Sequence, residues 1–527
     1  MRSRALFAAV VLSTALVSGG WLVTRGLVGS HGPQGDNSQM FAEVYDRVAR
    51  LYVDTLSDSA LATRAADGLV SELNDPHSAY LSPALLARLS ERTTGRYAGI
   101  GAQVDVRDGW ITIVAPLPGG PALAAGIQTG DRIVSVDGKP MRGVVLDEAQ
   151  KALRGDPGSR VKLTIERPGV GTPMDFTLVR REIHVRSVQH AMLLPGNIGY
   201  VALTIFSQES VADLKTAIDS LRRAGMTSLI FDLRGDPGGL LDQGVGVADL
   251  FLDPGQRVVS MKGRTAAATR AFADANPQTW PTMPLAVLVD GNSASAAEIV
   301  SGALQDHDRA LILGTTTYGK GSAQNVFPLT NGGAVKLTTA LWYTPSGRSI
   351  NRPRNDTSDA ELPDTNVRRP AYKTDAGRTV LGGGGITPDV ILPLRPTPAA
   401  DTIFQHALGT QIPKFRDALT DYALSLKGSH SITSQDFVAT PEMRAELWRR
   451  MRARGIILDS ATYSAAGGLV DRLLGYEIAR YVFGERAEYA RRLRDDEVVA
   501  ATARMVAGAR TQAELLARGA AAQRGSP

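Results

Sequence analysis

Three short segments place reactive groups just past apolar runs. The first passes from Leu285 to Val289 into Asp290, Gly291, Asn292, Ser293, Ala294, Ser295, Ala296, Ala297 and Glu298. A hydroxyl at a turn between a buried strand and a helix is exposed and faces the positive helix end, where backbone N–H groups can hold an oxyanion. Ser293 or Ser295 could equally cap that helix, and on its own the segment reads first as a cap. The second segment, Gly314 to Gln324, contains Tyr318-Gly319-Lys320-Gly321-Ser322-Ala323-Gln324. Lys320 is one of only ten lysines, and it is flanked by glycines. With an ordinary value near 10.4, roughly one lysine in 2,500 is neutral at pH 7, so a lysine base needs desolvation, and arginine cannot replace it. A solvated lysine in a glycine turn is the plain alternative. The third segment is Phe231-Asp232-Leu233-Arg234-Gly235-Asp236-Pro237-Gly238-Gly239, whose glycines allow close backbone approach and expose N–H donors; an ordinary strand-to-helix turn is its plain alternative.

Other chemistries find less support. There is no cysteine, which removes thiolate catalysis and cysteine-held metals. The seven histidines are scattered without metal-ligand spacing. His77 or His307 could serve a Ser-His-Asp triad, but no Gly-x-Ser-x-Gly elbow accompanies them. Gly319 to Ser322 lacks the upstream glycine spacing of a phosphate loop.

Elements must hold these segments in place. Phe41, Val44, Tyr45, Val48, Leu51 and Tyr52, then Leu61, Ala65, Leu69, Val70 and Leu73, recur at helical spacing, predicting amphipathic helices within residues 37–90. From 96 to 182 the texture is short alternating runs with Gly and Pro, a β-rich module with one helix near Leu146 to Leu153. From 183 to 394, together with 91–95, strands and helices alternate as in an α/β layer, with a polar insertion at 351–381. Residues 400–517 carry helical apolar stripes such as Leu447 and Met451, or Val470, Leu474 and Ile478, and 518–527 are expected to be disordered.

With 527 residues, 43% hydrophobic and 21% charged, the chain is a multi-domain globular protein rather than a disordered or polytopic one. A net charge of +5 without a compact basic run gives no support to nucleic-acid binding. Arg2 and Arg4 precede an uncharged apolar run from Ala5 to Val23, so residues 1–28 read as a signal anchor or signal peptide, the anchor being favoured. This places the rest on the periplasmic side of a bacterial inner membrane, or free in the periplasm.

In combination, FAEVYDRV, NDPHSAYL, YAGIGAQV, GDRIVSVDG, FDLRGDPGG, NSASAAEI, YGKGSAQ, YTPSGRSI and GGGITPDV resemble the carboxyl-terminal processing, or tail-specific, proteases of the serine–lysine type, over Phe41 to Leu394. The resemblance implies an α/β multi-domain fold: N-terminal helices used in dimerisation, a PDZ module, a crotonase/ClpP-like serine-protease core and a helical carboxyl-terminal region. It implies Ser295 as nucleophile, Lys320 as general base 25 residues on and Gln324 as the group orienting the amine four residues further. Oxyanion donors would be the N–H of Ala296 and of Gly238 or Gly239. Gly99, Ile100 and Gly101 would form the carboxylate loop of the PDZ groove, lined by the helix near 146–153. Ala297 stands where the family often has a third serine, and Gly235-Asp236 where it often has Asn-Asn. Expected substrates are proteins with flexible apolar carboxyl termini, and no cofactor or metal is implied. Residues 400–527 exceed the minimal family architecture and could be a scaffold, a dimer contact or a docking site for an adaptor protein. A catalytically silent PDZ scaffold is the competing class.

Overall fold

A computed structural model describes residues 35–168, 170–352, 369–392 and 396–524. The expected anchor at 1–28 and much of the 351–381 insertion lie outside the described residues, and no helix among them is long and apolar enough to cross a membrane. The chain divides into two compact units, one of residues up to 89, 259–272 and 321–343, the other holding the remainder.

The smaller unit contains helices Gly35–Leu51 and Asp58–Ser71. Met40, Phe41 and Val44 of the first leave their apolar stripe exposed. Its sheet is built on strand Ala334–Tyr343, which pairs with Ala79–Leu81 and Ser322–Pro328.

The larger unit begins with the β-rich module, a sheet of β1 (Ala102–Arg107), β2 (Trp110–Pro116), β3 (Arg132–Val136), β4 (Arg160–Glu166) and β5 (Met174–Val179) in that spatial order. Alternate residues Ile111, Ile113, Val161, Leu163 and Ile165 fill one core, which α1 (Leu146–Leu153) closes with Ala149 and Leu153. Because β1 is terminal in the sheet, one of its edges has no strand partner.

Next comes a six-stranded sheet, β6 (Val188–Leu194), β7 (Ile198–Leu203), β8 (Ser228–Asp232), β9 (Leu285–Val289), β10 (Leu311–Gly314) and β11 (Val390–Ile391), parallel from β7 onward. Its central strands are buried along their whole length, the mark of a parallel sheet covered on both faces. On one face, Phe231 meets Phe251, which in turn meets Trp280. On the other, Ile230, Ala286, Leu288, Leu311 and Leu313 pack against Leu493, Val498, Val499, Val506 and Leu515.

The carboxyl-terminal region therefore does two things. Residues 399–483 form a helical bundle with its own core around Leu447, Met451, Val470, Leu474 and Ile478. Residues 485–524 cover the second face of the six-stranded sheet. The final helix runs from Gln512 to Arg524. Residues 518–524 are thus helical, not disordered, because Leu515 is buried and Gly519 lies so close to Leu311 that a Cβ there would sit 2.4 Å from its Cδ1. Leu515→Ala is expected to destabilise the chain by about 2–4 kcal/mol, read as a lower urea midpoint, although Leu515 belongs to no candidate site.

The bundle also docks on the β-rich module through α2 (Ile412–Gly428). Arg416 Nη2 donates to the Val106 carbonyl at 2.9 Å, Lys427 Nζ to that of Thr129 at 3.3 Å, and Arg454 Nη1 to Asp108 Oδ1 at 3.2 Å.

Candidate active site

At the end of β9 the chain turns sharply. Asp290 Oδ1 accepts the N–H of Asn292 and Ser293 at 3.0 Å each, and that of Gly235 at 2.9 Å, tying this turn to the one after β8. Ser293 is a structural residue: its Oγ is buried, accepts the Asp290 N–H and donates to the Leu233 carbonyl at 2.8 Å. Ser295 sits at the N-cap of the helix Ala296–Asp306 (α3), with φ 55° and ψ −112°. Few residues other than glycine adopt such angles, and strain of this kind concentrates at functional turns, where it projects a side chain out of the backbone.

The carboxylate of Glu298, fully buried in the first turn of α3, joins two distant backbone segments. Oε2 accepts the N–H of Ser295 and the N–H of Lys320, each at 2.9 Å, which sets the two nitrogens no more than about 6 Å apart. Oε1 accepts Gly319 N–H at 2.7 Å and the Thr317 hydroxyl at 2.5 Å. Thr317 Oγ1 itself accepts Ile386 N–H at 2.7 Å, so its proton must point at Glu298. Burial raises the Glu298 carboxyl, and the four donors oppose that rise. Four groups each giving a hydrogen match an ionised carboxylate, which only accepts.

Gly238 packs directly beneath the turn. A Cβ there would lie 2.6 Å from Ala294 O and 2.7 Å from Ser295 Cβ, so only glycine fits. Its N–H, one of the expected oxyanion donors, is already given to Asp236 Oδ1 at 2.7 Å. Among the described residues, the N–H groups of Gly239 and Ala296 make no hydrogen bond within the chain. They are the donors left available, Ala296 because the first amide of a helix has no intrahelical acceptor.

Asp236 is buried, its Oδ2 has no partner among the described residues, and burial pushes its carboxyl well above the usual range. The native state thus keeps a proton that the unfolded chain releases near pH 4. Stability contributed by this group falls as pH rises above that value. Asp236→Asn is expected to flatten the decline between pH 5 and 8 in urea midpoints while cleavage stays within about threefold.

Gln324 belongs to the other unit, on strand Ser322–Pro328, where its Nε2 donates to Ser322 Oγ at 2.9 Å and Thr338 Oγ1 at 3.2 Å. His77 lies in that unit as well. His307 caps the far end of α3, about 18 Å along the helix from Ser295. It is held by Asp375 Oδ2 at 2.7 Å and the Arg257 carbonyl at 2.8 Å, so it does not assemble with Ser295.

In the β-rich module, the carbonyls of Ile100 and Gly101 turn inward to accept Ala122 N–H at 2.8 Å and Leu117 N–H at 2.9 Å. Gly101 has φ 69°, and a Cβ there would press on Gly120 Cα and Ile183 Cδ1, both at 2.9 Å. The N–H of Gly101 makes no hydrogen bond among the described residues, which leaves a small concavity with a donor suited to a carboxylate, beside the antiparallel bridge of Gly99 to Arg154. Glu298, Thr317 and Asp236 were not singled out in the sequence. The spacing Ser295-x-x-Glu298, a capping-box pattern, was the available signal for the first.

The Peptidase family S41 description matches residues 197–362, and the PDZ domain description matches residues 112–167. Over 314 residues the chain is 40% identical to the carboxy-terminal-processing protease of Bartonella bacilliformis, covering 59% of this chain and 71% of that one. It is 36% identical over 323 residues to the carboxy-terminal processing protease CtpA of Bacillus subtilis, covering 61% and 68%. Among solved structures, the photosystem II D1 C-terminal processing protease is 28% identical, covering 69% of this chain and 95% of that one, with a TM-score of 0.37. With its PDZ module and its peptidase sheet, the chain belongs to the carboxy-terminal-processing proteases of peptidase family S41.

Proposed function

We propose that this chain is an extracytoplasmic endopeptidase in which Ser295 is the nucleophile and Lys320 its general base. One observation carries the assignment: a single buried carboxylate oxygen of Glu298 holds the backbone of both residues, in a turn whose strained angles set a half-buried Ser295 at the helix N-cap. A neutral Lys320 amine takes the Oγ proton as Oγ bonds to the scissile carbonyl carbon. The carbonyl electron pair moves to oxygen, where the Ala296 and Gly239 N–H groups hold it. Collapse breaks the C–N bond, and the lysine ammonium returns its proton to the leaving amine. Water then attacks the acyl-enzyme with Lys320 again as base, releasing the new carboxylate and Ser295. Gln324 receives the amine-orienting role on its sequence position alone.

The Gly99-Ile100-Gly101 concavity takes the terminal carboxylate of a flexible apolar tail, which adds as a strand along β1. The apolar run Ala5 to Val23 supports a membrane-anchored position facing the periplasm. The exposed stripe of helix Gly35–Leu51 supports a second copy of the chain as its partner. Mass spectrometry of proteins accumulating in cells that carry Ser295→Ala tests the whole reading. Extracytoplasmic proteins with apolar carboxyl tails should be enriched, and an unchanged proteome would sink it.

A further inference from the structure

The carboxyl-terminal bundle closes the far end of the peptide groove. On β2, Ile113 gives its N–H to Asp131 and accepts from Gly130, so it faces β3 and not β1. Its partner Val104 therefore directs its own N–H and C=O to the free edge, as do Ala102 and Val106 by the two-residue period. At Val106 these positions are filled. Asp105 Oδ1 accepts the Val106 N–H at 2.8 Å, and Arg416 Nη2 donates to the Val106 carbonyl at 2.9 Å. The two side chains are themselves paired, with Arg416 Nη1 3.4 Å from Asp105 Oδ2. Together they satisfy both groups that an added strand would bond at that residue. No such side chain engages the outward groups of Ala102 or Val104 among the described residues.

We propose that Arg416, with Asp105, limits the tail read by the PDZ groove to its last three or four residues. The inference rests on the PDZ reading of Gly99 to Gly101. With the terminal carboxylate in that loop, the last residue of the tail lies opposite Ala102, the third from the end opposite Val104 and the fifth opposite Val106. The fifth finds no free backbone partner while α2 is docked. A substrate is thus selected by a very short carboxyl-terminal stretch, and longer pairing requires Arg416 to leave.

The test uses the full chain carrying Ser295→Ala and fluorescein-labelled octapeptides with apolar carboxyl-terminal residues, followed by fluorescence anisotropy. N-methylation of the third residue from the end should weaken binding at least tenfold, and of the fifth less than twofold. In Arg416→Ala the fifth-residue methyl should cost at least fivefold, and the unmethylated octapeptide should bind at least fivefold tighter. A fivefold loss from the fifth-residue methyl with Arg416 in place overturns the proposal, whether or not Arg416→Ala folds. Failure of the peptides to bind, or binding unaffected by the third-residue methyl, overturns the PDZ reading and the proposal with it. Normal sensitivity at the third position with a loss at the fifth removes the proposal alone.

Discussion

Ser295→Ala is expected to lower cleavage of a tailed protein substrate at least about a thousandfold, the scale seen when one member of a cooperating catalytic set is removed. Melting should move by no more than about 2 °C. Alanine keeps the Cβ that Gly238 packs against, and the N–H to Glu298 comes from the backbone, so only Oγ is lost. Lys320→Ala should produce a loss of similar size. Lys320→Arg should not restore activity, because a guanidinium does not release its proton near neutral pH. Peptide-binding affinity should be unchanged in all three variants, which separates lost chemistry from lost folding. Residual cleavage above a tenth of the parent rate in Ser295→Ala or Lys320→Ala would remove the assignment. His77→Ala and His307→Ala should stay within about threefold of the parent; a collapse in either would instead favour histidine as base.

The second large effect is expected at Glu298, which acts on the site through the backbone of its neighbours. Glu298→Ala leaves the N–H groups of Ser295, Gly319 and Lys320 and the Thr317 hydroxyl without their acceptor in a buried place. At about 1–3 kcal/mol for each unsatisfied buried group, this variant should be severely destabilised. Glu298→Gln is therefore the informative change. It keeps the volume but turns an NH2 group either toward the Ser295 and Lys320 N–H groups, neither of which can accept, or toward the Gly319 N–H and the Thr317 hydroxyl, of which only the hydroxyl can accept, so at least one backbone contact fails whichever way the amide lies. The expected result is a kcat at least about a hundredfold lower with KM within about threefold, because groups on the tail-binding module are untouched. Glu298→Asp shortens the reach but keeps the charge, and should recover part of kcat. A Glu298→Gln protein with normal kcat would show that the carboxylate only holds the fold.

Much of this was legible in the sequence because it was local. The strand ending at Val289, the turn through Ser293 and Ser295 and the helix after it follow from apolar runs and punctuation along one stretch of chain, and Leu146 to Leu153 is helical in the structure as in the pattern. What escaped was long-range. The helical pattern up to residue 517 announced helices but not the sheet face they cover, since an amphipathic pattern says that a partner exists and not which one. Gly238 and Gly239 looked equivalent in sequence, and only the Asp236 side chain, by taking one N–H, distinguishes them. Arg416 carried no signal at all, because its partners Asp105 and Val106 lie about 310 residues earlier.

The covered edge of β1 has a consequence for how this molecule behaves in a crowd. An unpaired strand edge invites strands from other chains, and a module built to accept extended peptides cannot simply abolish its edge. Here the open ladder is cut to the outward groups of Ala102 and Val104, with Val106 already satisfied. Two residues of pairing are far short of the six or seven that sustain stacked strands between chains. The module keeps a receptive edge without offering a template for aggregation.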